Sequence, residues 1–247
     1  MAHDAPPDLA ADLLQARCAW SRQFGDAWLT ETQWILLRRY IILLHVWSGR
    51  MSLVSQQDRD RLGTRHLLPS LAWLPLVASL PRGRILDLGS GAGLPGLPLA
   101  VALPDSRVYL IESRRRRASF LREVVRRLGL RTISIIHGRA EDWSGPDGGV
   151  DLVVSRAVGD PQVAMRLAGR AMAAHAHGLV LCGRAAPKAE RDPACAQPHA
   201  ASTAHLALAT PAPGGPQVVH LYPHSCVDNP PSQQPPCGRG TIATAPG

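Results

Sequence analysis

The sequence has almost no lysine, no C-x-x-C pair and no long uninterrupted hydrophobic run. Lys188 is the single lysine among 27 basic residues, and the formal net charge is +8. A basic balance favours an acidic partner such as nucleic acid, but a GC-rich genome would produce the same excess of arginine. Five cysteines without a C-x-x-C pair argue against a zinc ribbon or a disulfide framework. We therefore expect reduced thiols in the cytoplasm.

The beginning of the chain lacks the positive charge of a signal peptide, since "MAHDAPPDLAADLL" carries acids there instead. The apolar runs "IILLHVW" and "LLPSLAWLPLVASL" are too short, or too broken by proline, to span a bilayer. The histidines in "HAH" and around Cys226 do not have the spacing of a metal site. We expect a cytoplasmic, monomeric protein with no membrane partner and no metal.

The pattern of apolar residues changes near residue 84. Residues 8–47 are predicted to be helical, with a T-x-x-Q capping box at Thr30 and Gln33. Residues 48–83 form a connector with a helical middle. Beyond it, short apolar runs predict strands at "RILDLG", "RVYLIE", "TISIIHG", "VDLVVSRA" and "GLVLCG", separated by helices at 95–103, 114–129 and 161–174. "STAHLALAT" and "QVVHLYP" predict a final antiparallel pair.

This alternation predicts an α/β fold with a doubly wound, mostly parallel sheet and an N-terminal helical extension. We expect residues 1–83 to form that extension, which would act as a lid, and residues 84–222 to form the sheet domain. Residues 223–247 are rich in proline, glycine, serine and glutamine, and we expect a disordered tail there.

A glycine-rich turn follows the first predicted strand. "GAGLPG", residues 91–96, fits G-x-G-x-x-G, and Glu112 ends the next predicted strand. Dinucleotide enzymes and S-adenosylmethionine (SAM) enzymes both place such an acid on a ribose hydroxyl. Glu112 therefore indicates a nucleoside without choosing between these ligands. The alternative is that the glycines only make a tight turn.

Asp87, two residues before Gly89, favours a positively charged ligand. We expect its carboxylate to face the ligand crevice, where it would repel a pyrophosphate by about 1 kcal/mol or more. SAM carries a sulfonium and an ammonium against one carboxylate and would be attracted. Pro95 also removes an amide N–H that an anion site would use. The turn is thus predicted to bind SAM; the alternative for Asp87 is a surface cap.

Several segments resemble the RsmG/GidB family, the bacterial methyltransferases of guanine N(7) in 16S ribosomal RNA. "DLGSGAGLPGLPLA" is similar to that family's signature turn, and further similar segments are "RHLLPSL", "ESRRRRASFLREV", "HGRAEDW" and "DLVVSRAV". The resemblance runs from about Trp47 to Gly183. It implies a Rossmann-like SAM-dependent methyltransferase fold, with SAM as cofactor and the 16S rRNA of the small ribosomal subunit as partner.

The resemblance also implies particular cofactor contacts. They are Gly89, Leu94, Ala140, Glu141 and Arg156, to which the physical argument adds Asp87, Gly91, Gly93 and Glu112. Guanine N(7) has a free lone pair and no proton to remove, so no general base is required and Arg156 is expected to be a positioner. The alternatives are a structural ion pair of Arg156 with an acid such as Asp160, and a solvated acidic turn at Glu141.

The candidate RNA-binding residues are basic side chains near the predicted crevice: Arg65, His66, Arg115, Arg116 and Arg184. The alternative for Arg115 and Arg116 is a solvated helix face, and the alternative for His66 is a structural role. The chain departs from the family pattern at Ser52, Val54, Pro69 and Cys182. Those departures leave open a SAM methyltransferase with another substrate, or an inactive RNA-binding homologue. A nicotinamide dehydrogenase is a further alternative, against which Asp87 argues.

Overall fold

The computed structural model describes residues 5–156, 161–181, 204–208 and 217–223. Its helices are α1 (Pro7–Phe24), α2 (Glu31–Ser48), α3 (Leu68–Leu71), α4 (Leu74–Ala78), α5 (Gly96–Ala102), α6 (Arg115–Leu128) and α7 (Pro161–Ala168). Its strands are β1 (Arg84–Leu88), β2 (Arg107–Glu112), β3 (Ile133–His137), β4 (Val150–Arg156), β5 (Met172–Leu181), β6 (Ala204–Leu208) and β7 (Gln217–Pro223). A 3-10 helix (Gln56–Arg61) and a π turn (Gly63–Leu67) lie between α2 and α3. None of the described helices is both long enough and apolar enough to cross a membrane.

The seven strands form one sheet in the order β3-β2-β1-β4-β5-β7-β6. The five strands from β3 to β5 are parallel, whereas β7 pairs antiparallel with both β5 and β6. The doubly wound sheet and the final antiparallel pair are therefore confirmed. A dinucleotide-binding sheet of the Rossmann type has the order 3-2-1-4-5-6 without an inserted antiparallel strand, so the topology argues against the dehydrogenase alternative.

The segment predicted to be helical over 8–47 contains two helices, α1 and α2, separated at Gly25, whose φ of 78° is outside the helical region. One predicted element boundary is wrong. The last helix before β5 ends at Ala168 instead of residue 174, and β5 begins at Met172, so that "HAH" belongs to the strand. The predicted tail beyond Pro223 lies outside the described residues.

The predicted capping box at the start of α2 is confirmed and has a second role. The Thr30 hydroxyl accepts from the Gln33 amide at 3.3 Å, and the Gln33 side-chain oxygen accepts from the Thr30 amide at 2.8 Å. The Gln33 side-chain nitrogen also donates to the carbonyls of Val101 and Ala102, at the end of α5. The start of α2 is thereby tied to a helix of the sheet domain.

The sheet separates two hydrophobic clusters, as expected where helices cover both faces of a parallel sheet. Alternate residues of β1 divide between them, with Ile85 in one cluster and Leu86 in the other. The larger cluster combines α5 and α6 with residues of α1 and α2, including the buried Trp20 and Tyr40. The N-terminal helices thus share a core with one face of the sheet. Their action as a lid stays a prediction.

A buried carboxylate joins α1 to the π turn. Asp12, in the middle of α1, accepts the amide N–H of Gly63 at 2.5 Å. It also accepts the amide of Thr64 at 3.2 Å and the Thr64 hydroxyl at 2.5 Å. A Cβ placed on Gly63 would lie 2.7 Å from Asp12 Oδ2, which explains why a residue without a side chain stands there.

Replacing Asp12 with asparagine should therefore destabilise the protein. An amide offers one oxygen to these donors and turns its NH₂ group toward another donor, at a cost of about 2 kcal/mol. Urea unfolding would measure the loss. Asp26→Asn is the control, because Asp26 is exposed and should change stability by less than about 0.5 kcal/mol. Equal stability of the two variants would show that Asp12 does not hold the π turn.

Candidate functional site

The glycine turn leaves the carboxyl end of β1 and leads into α5. Gly89, Gly91 and Gly93 have φ values of 72°, 55° and 93°, a region that side-chain-bearing residues rarely adopt. Tyr40 of α2 connects the N-terminal helices to this turn. Its buried hydroxyl donates to the Ala92 carbonyl at 2.9 Å. Burial raises the pKa of Tyr40 well above its usual value, so the hydroxyl keeps its proton for this bond.

Glu112, at the end of β2, orders the backbone next to the turn. One carboxylate oxygen accepts the Gly91 amide at 2.9 Å, and the other accepts the Arg114 amide at 2.8 Å. The side chain thus connects the glycine turn to the start of α6. Because each carboxylate oxygen has a second lone pair, Glu112 can still accept a hydrogen bond from a ligand.

Asp87 lies beneath the turn and does not face open solvent, which excludes the alternative of a surface cap. The side chain is 0% exposed, and Oδ2 accepts the Gly96 amide at 3.1 Å. It projects to the same face of β1 as Ile85, the face that α5 and the N-terminal helices cover. Burial raises the pKa of Asp87 to about 7, although the Gly96 amide and Arg156 act against this rise. Oδ1 has no hydrogen-bond partner among the described residues.

Arg156, the last residue of β4, is largely buried at the same edge of the sheet. Its guanidinium lies 3.1 Å from Nδ1 of His66 and 3.2 Å from the Ser70 hydroxyl. Burial lowers its pKa, while the nearby Tyr40, Asp87 and Asp58 act in the opposite direction. The structure therefore brings Arg156 into the electrostatic range of Asp87 without a direct ion pair between them. Asp160, the alternative partner, lies outside the described residues.

The remaining predicted cofactor contacts lie on the turns at this edge. Leu94 is buried in the glycine turn. Ala140 and Glu141 occupy a 3-10 turn after β3, Ala140–Asp142. Glu141 is half-exposed, and one of its oxygens lies 3.4 Å from Arg139 Nη1. All nine predicted contacts therefore lie at the carboxyl ends of β1, β2 and β4 or in the turns after β1 and β3, and their contact with a cofactor stays a prediction.

The predicted RNA-binding residues separate into two groups. Arg115 and Arg116 are exposed at the start of α6 and make no ion pair within the described residues. At the other end of α6, by contrast, Glu123 holds Arg126 at 3.0 Å and Arg127 at 2.5 Å. Arg115 and Arg116 thus carry positive charge without an acidic partner among the described residues, at the end of α6 nearer the glycine turn.

The N-terminal candidates, Arg65 and His66, both lie beside Asp58, an acid that the sequence did not single out. Arg65 is partly exposed, with Nε 3.5 Å from Asp58 Oδ1, whereas the His66 side chain is 16% exposed and lies beside Arg156. Arg184 and Cys182 lie outside the described residues.

Other residues at this site also escaped the sequence reasoning. Tyr40 and Ser70 are separated from the glycine turn and from Arg156 by long stretches of chain, and only the fold brings them together. Arg117 donates to the Ser52 carbonyl at 3.0 Å and would lie 3.7 Å from a Cβ on Gly91. Since Ser52 contributes its backbone oxygen, its departure from the family pattern does not affect this bond. The described residues contain no group of three or more His, Cys, Asp or Glu side chains placed to hold a metal.

The fold matches solved structures along most of the chain. One is the cofactor-bound Rv0187 from MTB, with a TM-score of 0.56 and 20% identity over 92% of this chain and 100% of that chain. Another is the S-adenosylmethionine-dependent methyltransferase SibL in its apo form, with a TM-score of 0.51 and 16% identity over 87% of this chain and 73% of that chain. Together with the strand order, these likenesses define a Rossmann-like protein with a methyltransferase fold.

The chain belongs to the GidB family, described as rRNA small subunit methyltransferase G, whose model matches residues 33–205. The predicted family resemblance is thereby confirmed. The protein called ribosomal RNA small subunit methyltransferase G from Stenotrophomonas maltophilia (strain K279a) is 43% identical over 139 residues, 56% of this chain and 61% of that protein. Its namesake from Mycobacterium leprae (strain TN) is 46% identical over 125 residues, half of each chain. The chain thus spans about three fifths or less of these relatives.

Proposed function

We propose that this protein is a SAM-dependent methyltransferase acting on guanine N(7) in the 16S rRNA of the small ribosomal subunit. Family membership supports the reaction class, and the site supports the cofactor. The observation that carries the proposal lies at the carboxyl edge of the parallel strands, where α/β sheets bind ligands. There Glu112 and Asp87 accept the amides of Gly91 and Gly96 at the two ends of the glycine turn, and Arg156 lies within electrostatic range of Asp87. Ribosomal RNA as substrate implies a cytoplasmic location.

The residues present fit SAM better than a dinucleotide. The methionine end of SAM carries an ammonium and a carboxylate, and the site offers a buried carboxylate and a half-buried guanidinium within electrostatic range of each other. Asp87 Oδ1 lacks a hydrogen-bond partner among the described residues, so an ammonium or a bridging water would satisfy it. Glu112 would accept from the ribose. A pyrophosphate would be repelled by the carboxylates of Asp87 and Glu112. The Gly91 and Gly96 amides, which could otherwise bind it, already donate to these carboxylates.

The reaction requires little proton chemistry from the protein. SAM, when bound, supplies an activated methyl group on a sulfonium. The guanine N(7) lone pair forms the new bond to carbon while the carbon–sulfur bond breaks, and its electron pair stays on sulfur. No proton leaves N(7), so none of the site residues has to act as a base. The chain's contribution is orientation: Glu112 and Arg156 hold the cofactor ends, and the buried surroundings exclude water.

The exposed arginines at the start of α6 support an RNA substrate. Arg115 and Arg116 carry positive charge beside the glycine turn and have no acidic partner within the described residues. Such side chains suit phosphate contacts, which position nucleic acid without reading its sequence. Arg65 can add a contact from the N-terminal side, since its side chain is 43% exposed.

Calorimetric titration and a labelling assay test the proposal. The protein should bind SAM and not NADH. With labelled SAM, it should transfer label to 16S rRNA in small subunits that lack the modification. Chain cleavage by aniline after borohydride reduction detects N(7)-methylguanosine. Label in RNA that resists this cleavage would point to another substrate atom. Binding of SAM without any transfer would point to an inactive RNA-binding homologue.

A further inference from the structure

Arg156 is held by a segment that lies 90 residues earlier in the chain. Its Nη2 atom lies 3.1 Å from Nδ1 of His66, and its Nη1 donates to the His66 carbonyl at 3.4 Å and to the Ser70 hydroxyl at 3.2 Å. The Ser70 hydroxyl in turn donates to the same His66 carbonyl at 2.7 Å. Three acceptors from the π turn and α3 therefore surround one end of the guanidinium.

This contact fixes the proton on the His66 ring. A guanidinium has donors only, so Nδ1 of His66 must accept and cannot carry a proton. A neutral imidazole then carries its proton on Nε2, which lies 3.4 Å from Asp58 Oδ2. That distance gives an electrostatic attraction and no well-formed hydrogen bond. Asp58 is itself held in place by the Ser55 hydroxyl at 2.7 Å.

We propose that His66 is a positioning residue, which as a neutral Nε2–H imidazole orients the Arg156 guanidinium toward the cofactor, while Asp58 faces the Nε2–H side of the ring. The inference rests on the proposed function, in which Arg156 binds the carboxylate of SAM. It gives His66 a role other than RNA binding, because its side chain lies between Asp58 and Arg156. It also gives the N-terminal segment a direct part in shaping the site.

The electrostatics around His66 agree with a neutral ring. Burial, Arg156 and Arg65 together lower the pKa of His66 to about 4, against the opposing effect of Asp58. Among the described residues, these three are the charged groups that act on the ring. Removal of Arg156 should accordingly raise the pKa of His66, and removal of the Asp58 charge should lower it.

Nitrogen NMR of the full chain tests the tautomer without any cofactor. The parent protein should show His66 protonated on Nε2 and neutral at neutral pH. In Arg156→Gln the ring should titrate at higher pH. A proton on Nδ1, or a His66 titration that is the same in both proteins, would overturn the proposal.

Two amide variants of His66 test the orientation of Arg156. Asparagine places its oxygen near the Nδ1 position and can still accept from the guanidinium, whereas glutamine places its amide near Nε2. We expect His66→Gln to weaken SAM binding about 10- to 100-fold, the loss of one hydrogen bond to a charged group, and His66→Asn to stay within about threefold of the parent. Thermal melting checks that both variants fold.

The control is His45→Gln, a change of another half-buried histidine, whose Nδ1 contacts the Arg59 carbonyl and which makes no contact with Arg156. Its affinity for SAM should equal that of the parent. Equal affinities for the Asn and Gln variants of His66 would contradict the positioning role. If the parent binds no SAM while NMR shows the Nε2 tautomer, the proposed function fails and the His66–Arg156 arrangement stands.

Discussion

Asp87→Asn should remove a pH dependence from the stability of this protein. The buried carboxyl has its pKa raised to about 7 in the folded state, against about 3.9 in an unfolded chain. Between these values the folded state keeps a proton that the unfolded state has lost, so stability falls as pH rises. The full loss is about 4 kcal/mol, of which about 3 kcal/mol falls between about pH 5 and about pH 8.

The quantity to measure is the difference in unfolding free energy between variant and parent at several pH values. Asparagine keeps an oxygen for the Gly96 amide but places an NH₂ group where Oδ1 has no partner, a cost that does not vary with pH. The unfolding free energy of the variant should therefore increase relative to that of the parent as pH rises. A constant difference would show that Asp87 is ionised throughout.

Asp151→Asn is the matched control at the opposite end of the sheet. Burial acts to raise the pKa of Asp151, but hydrogen bonds from Arg84 and His175 outweigh it, and the pKa is lowered. Its contribution is present above the unfolded pKa and is lost only in acid. With His175, the histidine partner of Asp151, replaced by glutamine in both proteins, the difference between Asp151→Asn and its parent should therefore be flat across the range in which that of Asp87→Asn changes.

The same ionisation bears on cofactor binding. The attraction between Asp87 and a cation requires the charged form, so the affinity for SAM should rise with pH through about 7 in the parent and not in Asp87→Asn. At the alkaline end the variant should bind more weakly by about 1–3 kcal/mol. Equal SAM affinity of the parent and Asp87→Asn at every pH would show that the charge of Asp87 does not contribute to cofactor binding.

The sequence alone predicts the elements that local patterns determine. The strands carry short apolar runs, Thr30 and Gln33 have capping-box spacing, and the glycines stand where φ is positive. The capping box at Thr30 also indicates that a helix begins there within the segment 8–47. It does not indicate the positive φ of Gly25, at which the preceding helix ends.

The sequence does not show what covers a strand end. The position of Asp87 at a strand end predicts a carboxylate near the ligand crevice but does not predict its complete burial. That burial arises because α5 and the N-terminal helices lie on the same face of β1. The contact of His66 with Arg156 joins residues 90 positions apart, and no local spacing indicates it.

Gly96→Ala should be among the most damaging single changes at this site. Gly96 begins α5 and donates its amide to Asp87. A Cβ there would lie 2.5 Å from Asp87 Oδ2 and 2.8 Å from Asp87 Cβ, and would also press on the Leu110 side chain. The start of α5 would have to move away from β1, at a cost of about 3 kcal/mol. Because the glycine turn ends at this residue, SAM binding should weaken by about tenfold or more.

Gly138→Ala provides the comparison, since no heavy atom lies within 4 Å of a Cβ at that position. The unfolding free energy of this variant, measured in urea, should lie within about 0.5 kcal/mol of that of the parent. The contrast tests close packing between α5 and β1, because both variants add one methyl group to a glycine near the site. A stable Gly96→Ala protein with normal SAM affinity would mean that the turn is not built on the contact between Gly96 and Asp87.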